Sequence, residues 1–73
     1  MNEEVLFRDI LKKLRKEKGL TQKKLAEKAD INEKYFGRIE RGESSPTFNT
    51  ILKLCNALEI KIDEFMKLIK EVA

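Results

Sequence analysis

The stretch GLTQKKLAEKADINEKYFGRIERG, residues 19–42, holds two segments of helical pattern, each too short to stand alone. Isolated helices below about 12–15 residues are marginal in water, so such segments persist only by packing on each other and on the rest of the chain. Each has its own start signal, Thr21 ahead of QKKLAEKA and Asn32 ahead of EKYFGRIE. Side chains of these types accept hydrogen bonds from the N–H groups that a helix start leaves open. Leu25, Ala26 and Ala29 give the first segment a buried side, and Ala26 is small, as a close helix crossing requires. Asp30 stands where the chain must turn.

The remaining sequence supplies elements for this pair to pack against. Upstream, Phe7, Ile10, Leu11 and Leu14 recur at helical spacing, while Lys12, Lys13 and Lys16 fall off that face. Gly19 ends this helix as a C-terminal cap. Downstream, ESSPT reads as a loop, with Pro46 as breaker and Thr47 as the next N-cap. A fourth helix carries Phe48, Ile51, Leu52, Cys55 and Leu58. A fifth, at about 62–72, carries Ile62, Phe65, Met66, Leu68, Ile69 and Val72. No alternating strand pattern competes, since EIKID is too short and unpaired. The expected fold is all-α, five helices in one domain over residues 1–73.

Composition narrows the function. Apolar residues make up 41% and charged residues 40%, which suits a soluble helical domain. No apolar run reaches the length of a membrane span, and the N-terminus lacks a basic region followed by an apolar one. A single cysteine, Cys55, forms no internal disulfide and fits a reducing compartment, so a cytoplasmic location is expected, with association to the nucleoid when bound to DNA. Without histidine there is no plausible zinc set, and no glycine-rich phosphate loop is present. The carboxylates alternate with lysines at helix-surface spacing. We therefore expect no enzyme, no metal, no cofactor, no membrane partner and no small-molecule ligand. Charge is uneven: residues 1–42 hold 12 Lys and Arg against 8 Asp and Glu, residues 43–73 hold 4 against 5. A basic front suits an anionic partner.

On a helical wheel, Tyr35, Phe36 and Ile39 share one apolar arc of the third segment. Glu33, Lys34, Gly37, Arg38 and Arg41 occupy the other, with Gly37 near its centre. This places Gly37 on the outward face, where nothing from the core demands smallness. Either it lets a partner approach closely or it is merely tolerated, at roughly 1 kcal/mol relative to alanine.

Two capped short helices joined by a tight turn match the helix-turn-helix, whose second helix enters the DNA major groove. The run from Leu14 to Phe65 resembles the XRE family, the lambda-repressor and Cro-like regulators. The residues that carry the resemblance are Leu14-Arg15, Gly19-Leu20-Thr21-Gln22, Leu25-Ala26, Ile39-Glu40-Arg41-Gly42, Pro46, Leu58 and Ile60. It covers about residues 7–66. It implies a compact five-helix, lambda-repressor-like domain, usually a homodimer, that binds double-stranded operator DNA and regulates transcription. The chain's size also resembles the small controller proteins of restriction-modification systems.

The resemblance places Glu33, Lys34, Gly37 and Arg38 at base-facing positions of a recognition helix at about 33–41. Arg38 and Lys34 can donate to guanine O6 and N7, and Glu33 can accept from cytosine N4 or simply favour the helix dipole. Gln22 and Asn32 are implied as phosphate contacts from two helix N-termini, and Arg41 with the Ser44-Ser45 loop suits phosphates better than bases. The Tyr35 ring is expected to pack, with its hydroxyl free to reach a phosphate. Arg15 and Glu40 are implied as a salt bridge tying helix one to the recognition helix.

Two positions depart from the family pattern. Asp30 stands where glycine is usual in the turn, and Lys61 where a serine or threonine cap usually precedes helix five. The wide apolar arc of helix five, with Phe65, Met66, Leu68 and Ile69, is expected to form a two-fold dimer interface, alone or with help from helix four, unless it is spent on the chain's own core. A protein-interaction module or antitoxin-like partner on the same fold is the competing function.

Overall fold

The computed structural model describes residues 3–72, with side chains described over residues 7–71. Residues 1, 2 and 73 of the expected domain lie outside it, as does the side chain of Val72. Five helices follow in order: α1 (Glu3–Glu17), α2 (Gln22–Ala29), α3 (Glu33–Glu40), α4 (Phe48–Ala57) and α5 (Ile62–Val72). No strand occurs among the described residues. The fold is all-α.

The expected caps form. Thr21 accepts from the Lys24 N–H at 3.1 Å, Asn32 from Tyr35 at 3.1 Å and Thr47 from Thr50 at 3.1 Å. Gly19 turns the chain after α1 at φ +69°. Asp30 does the same after α2 with φ 57° and ψ 48°, its N–H bonding back to the last turn of the helix. The usual turn is thus kept without glycine. A left-handed conformation costs an ordinary residue about 1–2 kcal/mol, against about 0.4–1 kcal/mol for the extra freedom glycine brings to the unfolded chain. Asp30→Gly is therefore expected to gain ~0.5 kcal/mol in a urea melt. Destabilisation by that substitution would mean that the aspartate side chain contributes something beyond its backbone.

Two apolar clusters form the core. The larger joins α1, α2, α3 and α4 through Leu11, Leu25, Ala26, Ala29, Phe36, Ile39, Leu54 and Leu58. The smaller joins α4 and α5 through Cys55, Phe65 and Ile69. Phe7, Leu14 and Ile60 pack against both. Phe7 meets Phe65 edge to face, ring centres 5.2 Å apart, a preferred aromatic geometry. Burial pushes the Cys55 thiol up to about 11, so it sits here as a protonated apolar side chain.

One expectation about the back half is corrected. On α5, Phe65 and Ile69 are 1% and 8% exposed, so they belong to the protomer's own core and are not available to a partner. Met66 stays 46% exposed and Leu68 is half-buried, because they flank the buried stripe on either side. On α4 the buried arc is centred on Leu54 and Leu58, with Thr50 and Cys55 at its sides. Phe48 and Leu52 fall beyond that arc and remain 66% and 39% exposed.

Candidate nucleic-acid interface

α3 is eight residues long, about 12 Å at 1.5 Å per residue. Its inner side is fixed by Phe36 and Ile39, buried against α1 and α2. Tyr35 is half-buried and packs at the edge of the same cluster. Glu33, Lys34, Arg38 and Arg41 remain exposed and lie within one arc of the helix.

The helix is tied to α1 by a buried ion pair. Arg15 Nε donates to Glu40 Oε2 at 2.7 Å and Arg15 Nη2 to Glu40 Oε1 at 3.1 Å. Arg15 Nη1 donates to the Leu20 carbonyl at 2.8 Å. Gln22 Nε2 donates to Glu40 Oε1 at 2.9 Å, so α2 joins the same network. A desolvated carboxylate is tolerable only when donors surround it in this way. The Gln22 side chain is accordingly half-buried and engaged inside the fold, leaving the first-turn N–H groups of α2 as the more direct anion donors at that end.

Gly37 does not lie on an open surface. It is buried beneath two side chains: a Cβ built at this position would stand 3.1 Å from Arg41 Nη1 and 3.6 Å from Gln22 Oε1. The wheel gave its direction correctly but could not show what neighbouring side chains place over it. A covered Gly37 is a floor for other groups, and its implied base contact would require the Arg41 and Gln22 side chains to move aside.

Arg41 is itself engaged. Its Nε donates to Glu43 Oε2 at 2.6 Å and its Nη2 to Glu43 Oε1 at 3.4 Å. That hydrogen bond, reinforced by charge, raises the Arg41 guanidinium above its ordinary range and holds the Glu43 carboxyl below its own. The Asn32 side-chain oxygen is used in capping α3. Ser44, half-buried, donates its N–H to the Arg38 carbonyl at 3.3 Å, and Ser45 is exposed beside it.

Two contributors were not apparent from the sequence. Arg8 of α1 donates Nη1 to the Arg41 carbonyl at 3.2 Å, placing a cation at the C-terminal end of α3, where the helix dipole favours one. Gly42 holds φ +77°, a conformation that side chains rarely adopt, and a Cβ there would meet the Arg8 guanidinium. The other is Glu43, whose opposite charge two residues after Arg41 was a local signal. Nothing local marks Arg8, whose partner lies 33 residues away.

The helix-turn-helix family HTH_3 matches residues 11–65. The uncharacterized HTH-type transcriptional regulator YqaE of Bacillus subtilis (strain 168) is 34% identical over 62 residues, covering 85% of this chain and 53% of that protein. The chain thus spans about half the length of that curated relative. Among solved structures, the restriction-modification controller protein C.AhdI from Aeromonas hydrophila superposes with a TM-score of 0.80 at 39% identity, covering 85% of this chain and 94% of that one. The wild-type restriction-modification controller protein C.Esp1396I superposes with a TM-score of 0.90 at 27% identity, covering 97% and 91%.

Proposed function

The chain belongs to the helix-turn-helix family HTH_3, of the XRE kind, and on that premise we propose that it is a DNA-binding transcriptional regulator that reads near-palindromic operators as a homodimer. The observation that carries this reading is the outer arc of α3, where Lys34, Arg38 and Arg41 stand exposed on a helix whose other side is locked into the core. Arg38 and Lys34 suit guanine O6 and N7, and Glu33 suits cytosine N4. Asn32, Tyr35, Ser44, Ser45 and the N-terminus of α2 at Gln22 flank this arc and suit phosphates.

Reach and surface support dimerisation. The protomer measures 29 Å along its longest axis, while half-sites lie about 34–36 Å apart, so one protomer serves one half-site. Among the described residues the exposed large hydrophobics are Phe48, Leu52 and Met66, on α4 and α5, and these with Leu68 are the surface proposed to meet a second copy. Among the described residues no helix is long and apolar enough to cross a membrane, and the site of action proposed is cytoplasmic DNA. The likeness to two controller proteins supports a role in regulating a restriction-modification system.

Affinity for random duplex should fall steeply with salt, the slope reporting the phosphates engaged. On a selected site, Arg38→Ala should relax preference at one position per half-site by about 1–3 kcal/mol. Uniform weakening with unchanged preference would make Arg38 a phosphate contact. No affinity for any duplex at low salt would favour a protein-interaction module built on the same exposed Phe48, Leu52 and Met66.

A further inference from the structure

Arg41 is held at three points, more than a phosphate contact requires. Its carbonyl accepts from Arg8 Nη1 at 3.2 Å, which fixes the backbone at the end of α3. Its guanidinium lies over Gly37, Nη1 at 3.1 Å from where a Cβ would stand. Its Nε and Nη2 face the Glu43 carboxylate at 2.6 and 3.4 Å. An arginine at an exposed helix end ordinarily samples many rotamers, and phosphates accept it from most of them. Here the glycine one turn earlier removes the side chain that would block the path, and the carboxylate two residues later holds one edge of the fork.

The free edge has a consequence. A guanidinium presents five N–H donors in a planar fork, and Glu43 takes the Nε side. Glu43 uses the Nε hydrogen and one hydrogen of Nη2, and the second Nη2 hydrogen and the Nη1 hydrogens are left on the same arc as Lys34 and Arg38, the pair of donors that matches guanine O6 and N7 in a bidentate contact. Building on the DNA-binding reading above, we propose that Arg41 is a base-reading residue for guanine and that Glu43 is the positioning residue that aims it, with Gly37 as the floor beneath.

The proposal predicts a sign opposite to plain electrostatics. Removing an acidic residue beside DNA should by charge alone tighten binding to every duplex. Removing a positioning residue should instead lower discrimination. The test measures the full chain on its selected duplex, on the same duplex with each guanine replaced in turn, and on random duplex, at one fixed salt concentration. Glu43→Ala should lower the ratio of specific to random affinity about fivefold or more, with the loss concentrated at one guanine per half-site. Glu43→Gln keeps an acceptor for Nε and should recover most of that ratio. In an Arg41→Ala background, Glu43→Ala should change the ratio less than about twofold, since the group it acts through is gone.

An unchanged or higher ratio in Glu43→Ala overturns the proposal. So does an equal loss in the Arg41→Ala background, or uniform weakening of all duplexes by Arg41→Ala. Failure of the unsubstituted protein to bind any duplex at low salt overturns the DNA-binding reading itself, a result separate from all of these.

Discussion

Replacing Glu40 with alanine is expected to cost about 3–5 kcal/mol of folding stability, the loss typical when one partner of a buried ion pair is removed. The Glu40 side chain is 1% exposed and Arg15 10%, so neither charge has water to fall back on. The substitution leaves Arg15 with only the Leu20 carbonyl and takes from Gln22 its acceptor. A domain of this size has a total stability on the order of 5 kcal/mol, so much of it would be lost. At about 4–8 °C per kcal/mol, the melting temperature should fall by tens of degrees. Replacing both partners by apolar residues of similar volume should recover much of that loss, since a buried pair stabilises less than its removal costs. The fraction that remains folded should keep its base preference, because Glu40 faces α1 and not the groove. An unchanged thermal melt for Glu40→Ala would contradict this account of how α3 is held.

A second large effect separates core from proposed interface on one helix. Phe65→Ala should cost about 3–5 kcal/mol, from lost burial and the cavity left beside Phe7. Met66→Lys, at the neighbouring position, should change protomer stability by no more than about 0.5 kcal/mol, since that side chain is 46% exposed. Sedimentation should nevertheless show that the lysine variant shifts association to higher concentration, because a charge placed in an apolar contact must be desolvated. A Phe65→Ala variant that melts normally but no longer associates would return Phe65 to the interface. A Met66→Lys variant that associates normally would place the interface elsewhere.

How far the sequence speaks for itself varies with the kind of question. Thr21, Asn32 and Thr47 announce their helices because capping is local, a side chain bonding an N–H three residues on. The all-α architecture follows from periodicities that need no knowledge of neighbours. What periodicity cannot give is which edge of a wide apolar arc meets the core. On α4 the true centre lies at Leu54 and Leu58, so Phe48 and Leu52 turn outward; on α5 the stripe narrows to Phe65 and Ile69. A wheel also treats each helix alone. It set Gly37 on the outer arc and missed the Arg41 and Gln22 side chains that cover it. Backbone strain is equally silent: Glu59, after α4, adopts φ 59° where turn chemistry favours glycine. The site therefore comes in two layers, a helix face legible from residue spacing and a set of long-range supports, Arg8 above all, visible only once the chain is folded.

The central claim is that the α3 face reads a DNA sequence, one half-site per protomer. Selecting binding sites from random duplexes with the purified chain tests it most directly. The account predicts enrichment of a near-palindrome with guanine in each half and half-site centres about 34–36 Å apart. A folded protein that enriches no sequence, while its exposed α4 and α5 surface captures another protein, would contradict it.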